Sequence, residues 1–353
     1  AYTFASDITV NGVTVGKGAN SVSTNTALGV SALTANTSGD RNVAIGYEAL
    51  VANTSGVANL ALGYQSLYSN TTVGVLTAVG PYALYSNTSG TALVALGYQS
   101  LYSNTSGSYN TALGRQTLYS NTTASNNVAV GYQALYDNTT GASLTALGYQ
   151  ALANNTTASN NTAVGFLSLG ATTTGPQNTA VGWGSLYSNT TGSNNVALGY
   201  GGLFLNVTGG NNTAVGFESL RNTTTSNNTA VGYQAAYSNT SGSAITAIGY
   251  LSLYSNTTGF HNTGLGRETL EANTTGIYNT AVGMTALTAN TTGGYNSAFG
   301  VGALQNNTTA ANNTAVGYQA LFDNTTGADN VAVGFLALAN NTTGGGSVAI
   351  GRQ

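Results

Sequence analysis

Asn178-Thr179-Ala180-Val181-Gly182-Trp183-Gly184-Ser185-Leu186-Tyr187-Ser188-Asn189-Thr190-Thr191-Gly192-Ser193-Asn194 is one of a series of 17-residue units from which most of the chain is built. One glycine marks the period, at Gly29, Gly46, Gly63, Gly80, Gly97, Gly114, Gly131, Gly148, Gly165, Gly182, Gly199 and Gly216. Gly232 arrives one residue early, and the period resumes through Gly249, Gly266, Gly283, Gly300, Gly317, Gly334 and Gly351. Self-similarity at a fixed short period is the signature of a repeat architecture. A 17-residue unit is too short for a helix pair. Its Val, Thr and Tyr suit strands, and its Asn, Gly and Ser suit turns. The expected fold is therefore all-β, a parallel β-solenoid or β-roll of about twenty coils. At about 4.8 Å of rise per coil it would form a rod of roughly 90 Å.

Within Thr213-Ala214-Val215-Gly216-Phe217 the side chains alternate, with Thr, Val and the aromatic on one side and Ala and Gly on the other. Either side satisfies the pattern as the interior. The Ala and Gly strip would line a tight coil or meet a second chain. The Leu four residues past the marker (Leu67, Leu84, Leu101, Leu135, Leu186) is expected to fill the coil after a bend.

Composition narrows the function classes. Of 353 residues only 4% are charged, net charge is −3, Cys is absent and 41% are apolar. A disordered chain combines low hydrophobicity with high net charge, which this one does not. No basic stripe offers to neutralise phosphates, so a nucleic-acid partner is not expected. No apolar run approaches the roughly 18–20 residues of a membrane helix. Without Cys there is neither a disulfide framework nor a thiolate site. The chain opens Ala1-Tyr2-Thr3 without Met, as a processed or cropped product would.

Residues 1–24 depart from the repeat and form a segment of their own, with the solenoid over 25–353. Ile8-Thr9-Val10-Asn11-Gly12-Val13-Thr14-Val15 reads as a β-hairpin, since Asn-Gly between alternating residues is a strong hairpin signal. It is expected either to cap the first coil or to pair with a neighbouring subunit through Ile8, Val10, Val13 and Val15. The chain ends inside a coil, at Ser347-Val348-Ala349-Ile350-Gly351-Arg352-Gln353. Either the native chain continues, or residues 1–16 of a second copy complete that coil by strand addition. Repeated head to tail, the second arrangement makes an open filament.

Units such as Asn42-Val43-Ala44-Ile45-Gly46 and Ser347-Val348-Ala349-Ile350-Gly351 resemble the head repeats of trimeric autotransporter adhesins. The N-T-A-V-G-Y-Q-A-L pattern is similar to that of phage-type tail-fibre repeats. The resemblance covers about residues 25–351. It implies a left-handed parallel β-roll, often trimeric, displayed on a surface for adhesion. Adhesin heads usually repeat in 14 residues rather than 17. The heptad stalk, the membrane barrel and the C-terminal chaperone domain of tail fibres have no counterpart.

The most regular polar feature past the marker is Asn followed by hydroxyl residues. It recurs at Asn36, Asn53, Asn70, Asn87, Asn104, Asn121, Asn138 and Asn155, is interrupted by Thr172, and continues at Asn189, Asn206, Asn222, Asn239, Asn256, Asn273, Asn290, Asn307, Asn324 and Asn341. These are N-x-[ST] glycosylation acceptors, and Asn160, Asn211, Asn227 and Asn312 form a sparser second set. The competing role is structural, because Asn suits left-handed turns and stacks into amide ladders. An amide turned inward cannot carry a sugar. Regular Thr rows also raise ice binding as a minor alternative.

Tyr recurs at two places in the unit, as at Tyr47, Tyr64 and Tyr98 and at Tyr68, Tyr85 and Tyr102. These rows would stack along the rod, or would expose rings to sugars. No catalytic, cofactor or metal site is expected. The lone His261 sits at a unit junction, and Glu218 and Glu268 share a unit position three coils apart, too far for a glycosidase pair. The expectation is a non-enzymatic extracellular or cell-surface protein. It would be the structural subunit of a head-to-tail homopolymer, or else an adhesive or receptor-binding fibre shaft, with glycans or surface carbohydrate as further partners.

Overall fold

A computed structural model describes residues 7–353, and it is all-β apart from one short 3-10 turn at Ala19–Ser21. The chain divides into two compact units, Ala1–Gln177 and Asn178–Gln353. In the first, a hairpin of β1 (Ile8–Val10) and β2 (Val13–Gly16) precedes β3 (Thr26–Gly29). Short strands then follow at one per coil, from β4 (Val43–Ile45) to β11 (Thr162–Val164). The second unit carries β12 (Thr179–Val181) to β22 (Val348–Ile350) in the same way. Within each unit the coils stack as a parallel β-solenoid, each strand beside the equivalent strand of the next coil. In the first unit Thr111, Ala112 and Leu113 face Val128, Ala129 and Val130. In the second, Thr213, Ala214 and Val215 face Thr229, Ala230 and Val231 across the one 16-residue coil.

Counting Asn178 as position 1 of its unit, the buried positions are 1, 3, 8, 9, 12 and 15. The coil from Asn110 shows all six, with Asn110, Ala112, Thr117, Leu118 and Asn121 fully buried and Ala124 nearly so. The side of the strand left open by the sequence is thus decided. Ala faces in, while Thr, Val or Leu, and the aromatic face out. The expected Leu is the main apolar filling, with Leu67, Leu84, Leu101, Leu135 and Leu186 at 0% exposure. In most coils that Leu is the one large aliphatic side chain inside, and the other inward positions are small or carry an amide; four coils also bury a Leu or Ile at position 1.

The coil closes on left-handed residues that are not glycine. Gln116, Leu118 and Asn126, at positions 7, 9 and 17, have φ of 54°, 52° and 63°. Left-handed backbone costs an L-residue about 1–2 kcal/mol. Burying a Leu side chain returns about 1.5–3 kcal/mol, and the Leu118 amide also donates to Ala134 O at 3.0 Å in the next coil. Packing and pairing between coils therefore hold a conformation that local preference opposes. The marker glycine has a different reason. Gly131 has φ 130°, and a methyl there would overlap the carbonyl oxygen of Gly148.

The N-terminal hairpin turns on Asn11 and Gly12, both at positive φ, as a two-residue hairpin turn requires. The Asp7 carboxylate accepts the amides of Lys17 and Gly18, both at 2.6 Å, and ties the hairpin base. β2 then pairs antiparallel with β3, with Val15 opposite Leu28. The segment therefore lies on its own first coil.

Leu118→Ala is expected to destabilise its coil by about 2–5 kcal/mol. Because solenoid contacts run between neighbours, hydrogen exchange should accelerate at the Leu101 and Leu135 amides and stay unchanged at Leu50. Gly131→Ala should produce a comparable local opening through backbone overlap, with no change in buried apolar area.

Candidate functional site

The Asn row read as glycan acceptors lies inside the coils. Asn36, Asn53, Asn70, Asn87, Asn104, Asn121, Asn138, Asn155, Asn189, Asn206, Asn239, Asn256, Asn273, Asn290, Asn307 and Asn324 are all 0–1% exposed. Each sits at position 12. Asn121 Nδ2 donates to Asn104 Oδ1 at 2.8 Å and to Ala124 O at 3.1 Å, and Asn138 Nδ2 reaches Asn121 Oδ1 at 2.9 Å. The nitrogen a glycan would occupy is thus buried and hydrogen-bonded, so in the folded coil these amides are not acceptors.

Two members of the row differ. Asn341 is half-buried in the last coil. Asn222 is out of register, because it lies six residues past Gly216 rather than seven, and it is half-exposed. Thr223 takes the buried slot, where its hydroxyl accepts Asn239 Nδ2 at 3.0 Å. Each Thr in the ladder strands an acceptor below it. Asn155 Oδ1 lies under Thr172 and Asn206 Oδ1 under Thr223, and both are buried without a partner, as is Thr172 Oγ1.

A second ladder at position 1 escaped the sequence reading. Asn127 N donates to Asn110 Oδ1 at 3.0 Å, and Asn127 Nδ2 crosses the coil to Gly141 O at 3.1 Å. Asn138 Nδ2 binds that same carbonyl at 3.0 Å. Position 15 is Gly or Ala in most coils, and a Cβ at Gly141 would crowd the Asn138 and Asn155 side-chain amides. Recurrence of Asn at 17-residue spacing was the available signal. Substitution by Leu76, Leu93, Leu144 and Ile245, all buried, was a further clue that the position faces in.

The surface carries rows rather than a pocket of convergent groups. Tyr68, Tyr85, Tyr102, Tyr119 and Tyr136 stack with centroids 4.9–5.2 Å apart and planes within 11°. Tyr132, Tyr149 and Phe166 form part of the other row, at 5.3 and 5.1 Å. Rings stacked in this way cover each other's faces and turn their edges outward. Sugar stacking needs open faces, and the rows offer few of them. The gaps are plugged in kind, as where the Arg115 guanidinium lies 5.6 Å from the Tyr98 ring and 5.9 Å from the Tyr132 ring. Beside the rings Gln99, Gln116, Gln133 and Gln150 link amide to amide at 2.9–3.1 Å. At position 13 the Thr hydroxyls are also engaged, Thr122 Oγ1 donating to Thr139 O at 3.2 Å and Thr139 Oγ1 to Thr156 O at 2.9 Å.

Titratable groups are dispersed. His261 is exposed and lies flat against Tyr278 at 4.9 Å. Glu218 pairs with Arg221 at 3.2 Å and Glu268 with Arg267 at 2.8 Å. Among the described residues no three His, Asp or Glu side chains gather as metal ligands would. Stacking withdraws the Tyr102 and Tyr136 phenols from water and raises their pKa. Burial likewise raises Asp137, and it raises Glu271 with help from the Glu268 charge.

Of the residues expected to join a neighbour, Val13 and Val15 lie in β2, which pairs with β1 on one edge and β3 on the other. They are committed within the chain. Ile8 and Val10 lie in β1, whose far edge has no partner among the described residues. Residues 1–6 of the expected donor segment lie outside the described residues. Among the described residues no helix is long and apolar enough to cross a membrane. The chain matches no protein-family model and no curated protein.

Thr172→Asn should extend the ladder, satisfy Asn155 Oδ1 and stabilise the protein by about 1 kcal/mol, read as slower local hydrogen exchange. Asn121→Ala should have the opposite sign and cost about 1–3 kcal/mol. Asp137 has a raised folded pKa, so its contribution is fully present below the unfolded carboxylate range, near 4, and is lost as pH rises through the folded value. Asp137→Asn should therefore stabilise the protein at neutral pH and change little in strong acid, as denaturant midpoints at the two pH values would show.

Proposed function

We propose that the protein is a structural subunit of an extracellular filament, assembled head to tail by strand addition. One observation carries this reading, the match between the two outer strand edges. β22 exposes Val348 at 71% and Ile350 at 79%, whereas their neighbours Val331 and Val333 in β21 are half-buried. Beside this edge lies a hollow of about 470 Å³ lined by residues including Leu338, Ala339 and Ile350. In the first unit β1 is antiparallel to β2 and β2 to β3, so β1 runs in the same direction as that unit's coil strands. A second copy offering β1 to β22 would extend the stack as a parallel pair and keep its polarity.

The alternation matches as well. Ile8 faces Val15, which faces Leu28, the residue just before a marker glycine as Ile350 is, so in the same register Ile8 would fall opposite Ile350 on the outward side. Thr9 and Gly351 then fall together on the inward side. An exposed apolar strand edge is a template for another chain, and a heterologous contact of this kind repeats without closing. Location outside the cell rests on the resemblance to surface fibres.

A fibre shaft is the second reading. It is favoured by the outward strand faces, where Leu62, Leu96, Tyr64 and Tyr98 are each 40–47% exposed. Such a face suits side-by-side packing of a small bundle.

Electron microscopy of the purified chain across a concentration series tests both. Unbranched filaments are expected for the wild type. Ile8→Lys with Ile350→Lys should leave single-length particles, because like charges directly opposite repel, and Ile8→Glu with Ile350→Lys should restore growth. Wild-type particles of one chain length at every concentration would overturn the filament reading, and discrete lateral trimers would establish the shaft.

A further inference from the structure

Position 14, nine residues past the marker glycine, is Ser or Thr in every 17-residue coil from Ser38 to Thr343. All these residues are exposed. Their constancy contrasts with the neighbouring exposed position 17, which runs through Arg41, Val75, Tyr109, Asn126, Asp329 and Gly346. A turn preference alone would admit Gly, Asn and Asp as readily. Ser and Thr share only the hydroxyl.

The fold makes no use of that hydroxyl. At position 13 the Thr hydroxyls donate to carbonyls of the next coil. At position 16 Ser125 Oγ accepts the Ser108 amide at 2.9 Å. Among the described residues no position-14 hydroxyl of a 17-residue coil takes part in a hydrogen bond of this kind. The short coil is decisive. There Thr223 fills slot 12, Thr224 Oγ1 donates to Thr240 O as a position-13 residue does, and Thr225 O accepts Asn212 Nδ2 as position 15 does. The missing residue is therefore position 14, and the strands on either side keep their register without it. One coil closes without this position, yet wherever the position is present it carries Ser or Thr.

The N-x-[ST] acceptor rule would require a hydroxyl here, but the Asn two residues before it is buried and engaged. Where that Asn is replaced by Thr172, position 14 is still Thr174.

We propose that the position-14 hydroxyls are the acceptors of O-linked sugars. Each Oγ would attack the anomeric carbon of a glycosyl phosphate donor. The new C–O bond replaces the bond to phosphate, the nucleotide or lipid phosphate departs, and the hydroxyl proton passes to the transferase's base. Sugar fits this column better than phosphate. Coils rise by about 4.8 Å, and doubly charged groups at that spacing would repel along the whole row, whereas neutral sugars add hydration to a chain with 4% charged residues.

The test uses protein from its native source. Its intact mass is measured before and after mild alkaline β-elimination in the presence of an amine, which tags each Ser or Thr that carried a sugar. Peptides are then sequenced with fragmentation that preserves the tag. The expected result is a mass excess in sugar units, lost on elimination, with tags at Thr123, Thr140 and Thr157 and none at Thr122, Thr139 and Thr156. A native mass equal to that of the polypeptide overturns the proposal. So does an excess in phosphate units, an excess released only by an Asn-specific amidase, or tags confined to position 13.

Discussion

A side-chain amide shut inside a coil has no water to bond to, and that constraint governs the rest of the molecule. Asn121 meets it with three partners, the amide oxygen of Asn104 below, the amide nitrogen of Asn138 above and Ala124 O in its own coil. Two of the three belong to neighbouring coils, so no coil can satisfy its Asn alone. The amide must return to the same angular place in each coil, which demands a near-constant repeat length. The orphaned oxygens of Asn155 and Asn206 mark where Thr172 and Thr223 fail to supply the next rung. Unsatisfied buried groups carry a free-energy penalty, and their scarcity here follows from the regularity of the unit.

That constraint separates the inside of the coil from the outside. Inward positions hold Asn, Ala, Leu and small residues with few exceptions, and where position 1 is not Asn it is filled by a buried aliphatic such as Leu76 or Ile245. Outward positions are free to drift, and most do. The aromatic rows drift among Tyr, Phe, Trp and Arg, which stack on one another, and are broken by residues such as Pro81, Ala153, Gly170 and Val301. Position 14 is the exposed place that does not drift. The contrast among these positions, all visible within one chain, is what directs attention to a surface hydroxyl that the fold itself leaves idle.

Much of this was legible before the structure. The period, the parallel β-solenoid, the Leu filling and the Asn11-Gly12 hairpin follow from spacing and turn chemistry. The direction in which each Asn points did not follow, because Asn suits an exposed turn and an inward ladder equally well. The glycosylation motif therefore described the position-12 row correctly as letters and misleadingly as chemistry. Asn222 shows the related hazard of reading a motif across a deletion. Its letters match the series, but the coil is one residue short and Thr223 occupies the slot.

By itself the sequence determined the repeat length, the class of fold and the near-absence of charge, since each is a property of order and composition. The inward side of the strand, the burial of the Asn row, the left-handed Leu at position 9 and the commitment of β2 to its own first coil were decided only in the tertiary structure. The physical reason is common to all four. Each depends on what the adjacent coil or strand presents at the same height, and a Leu at φ near 52° is stable only with a neighbouring coil to receive its amide and cover its side chain.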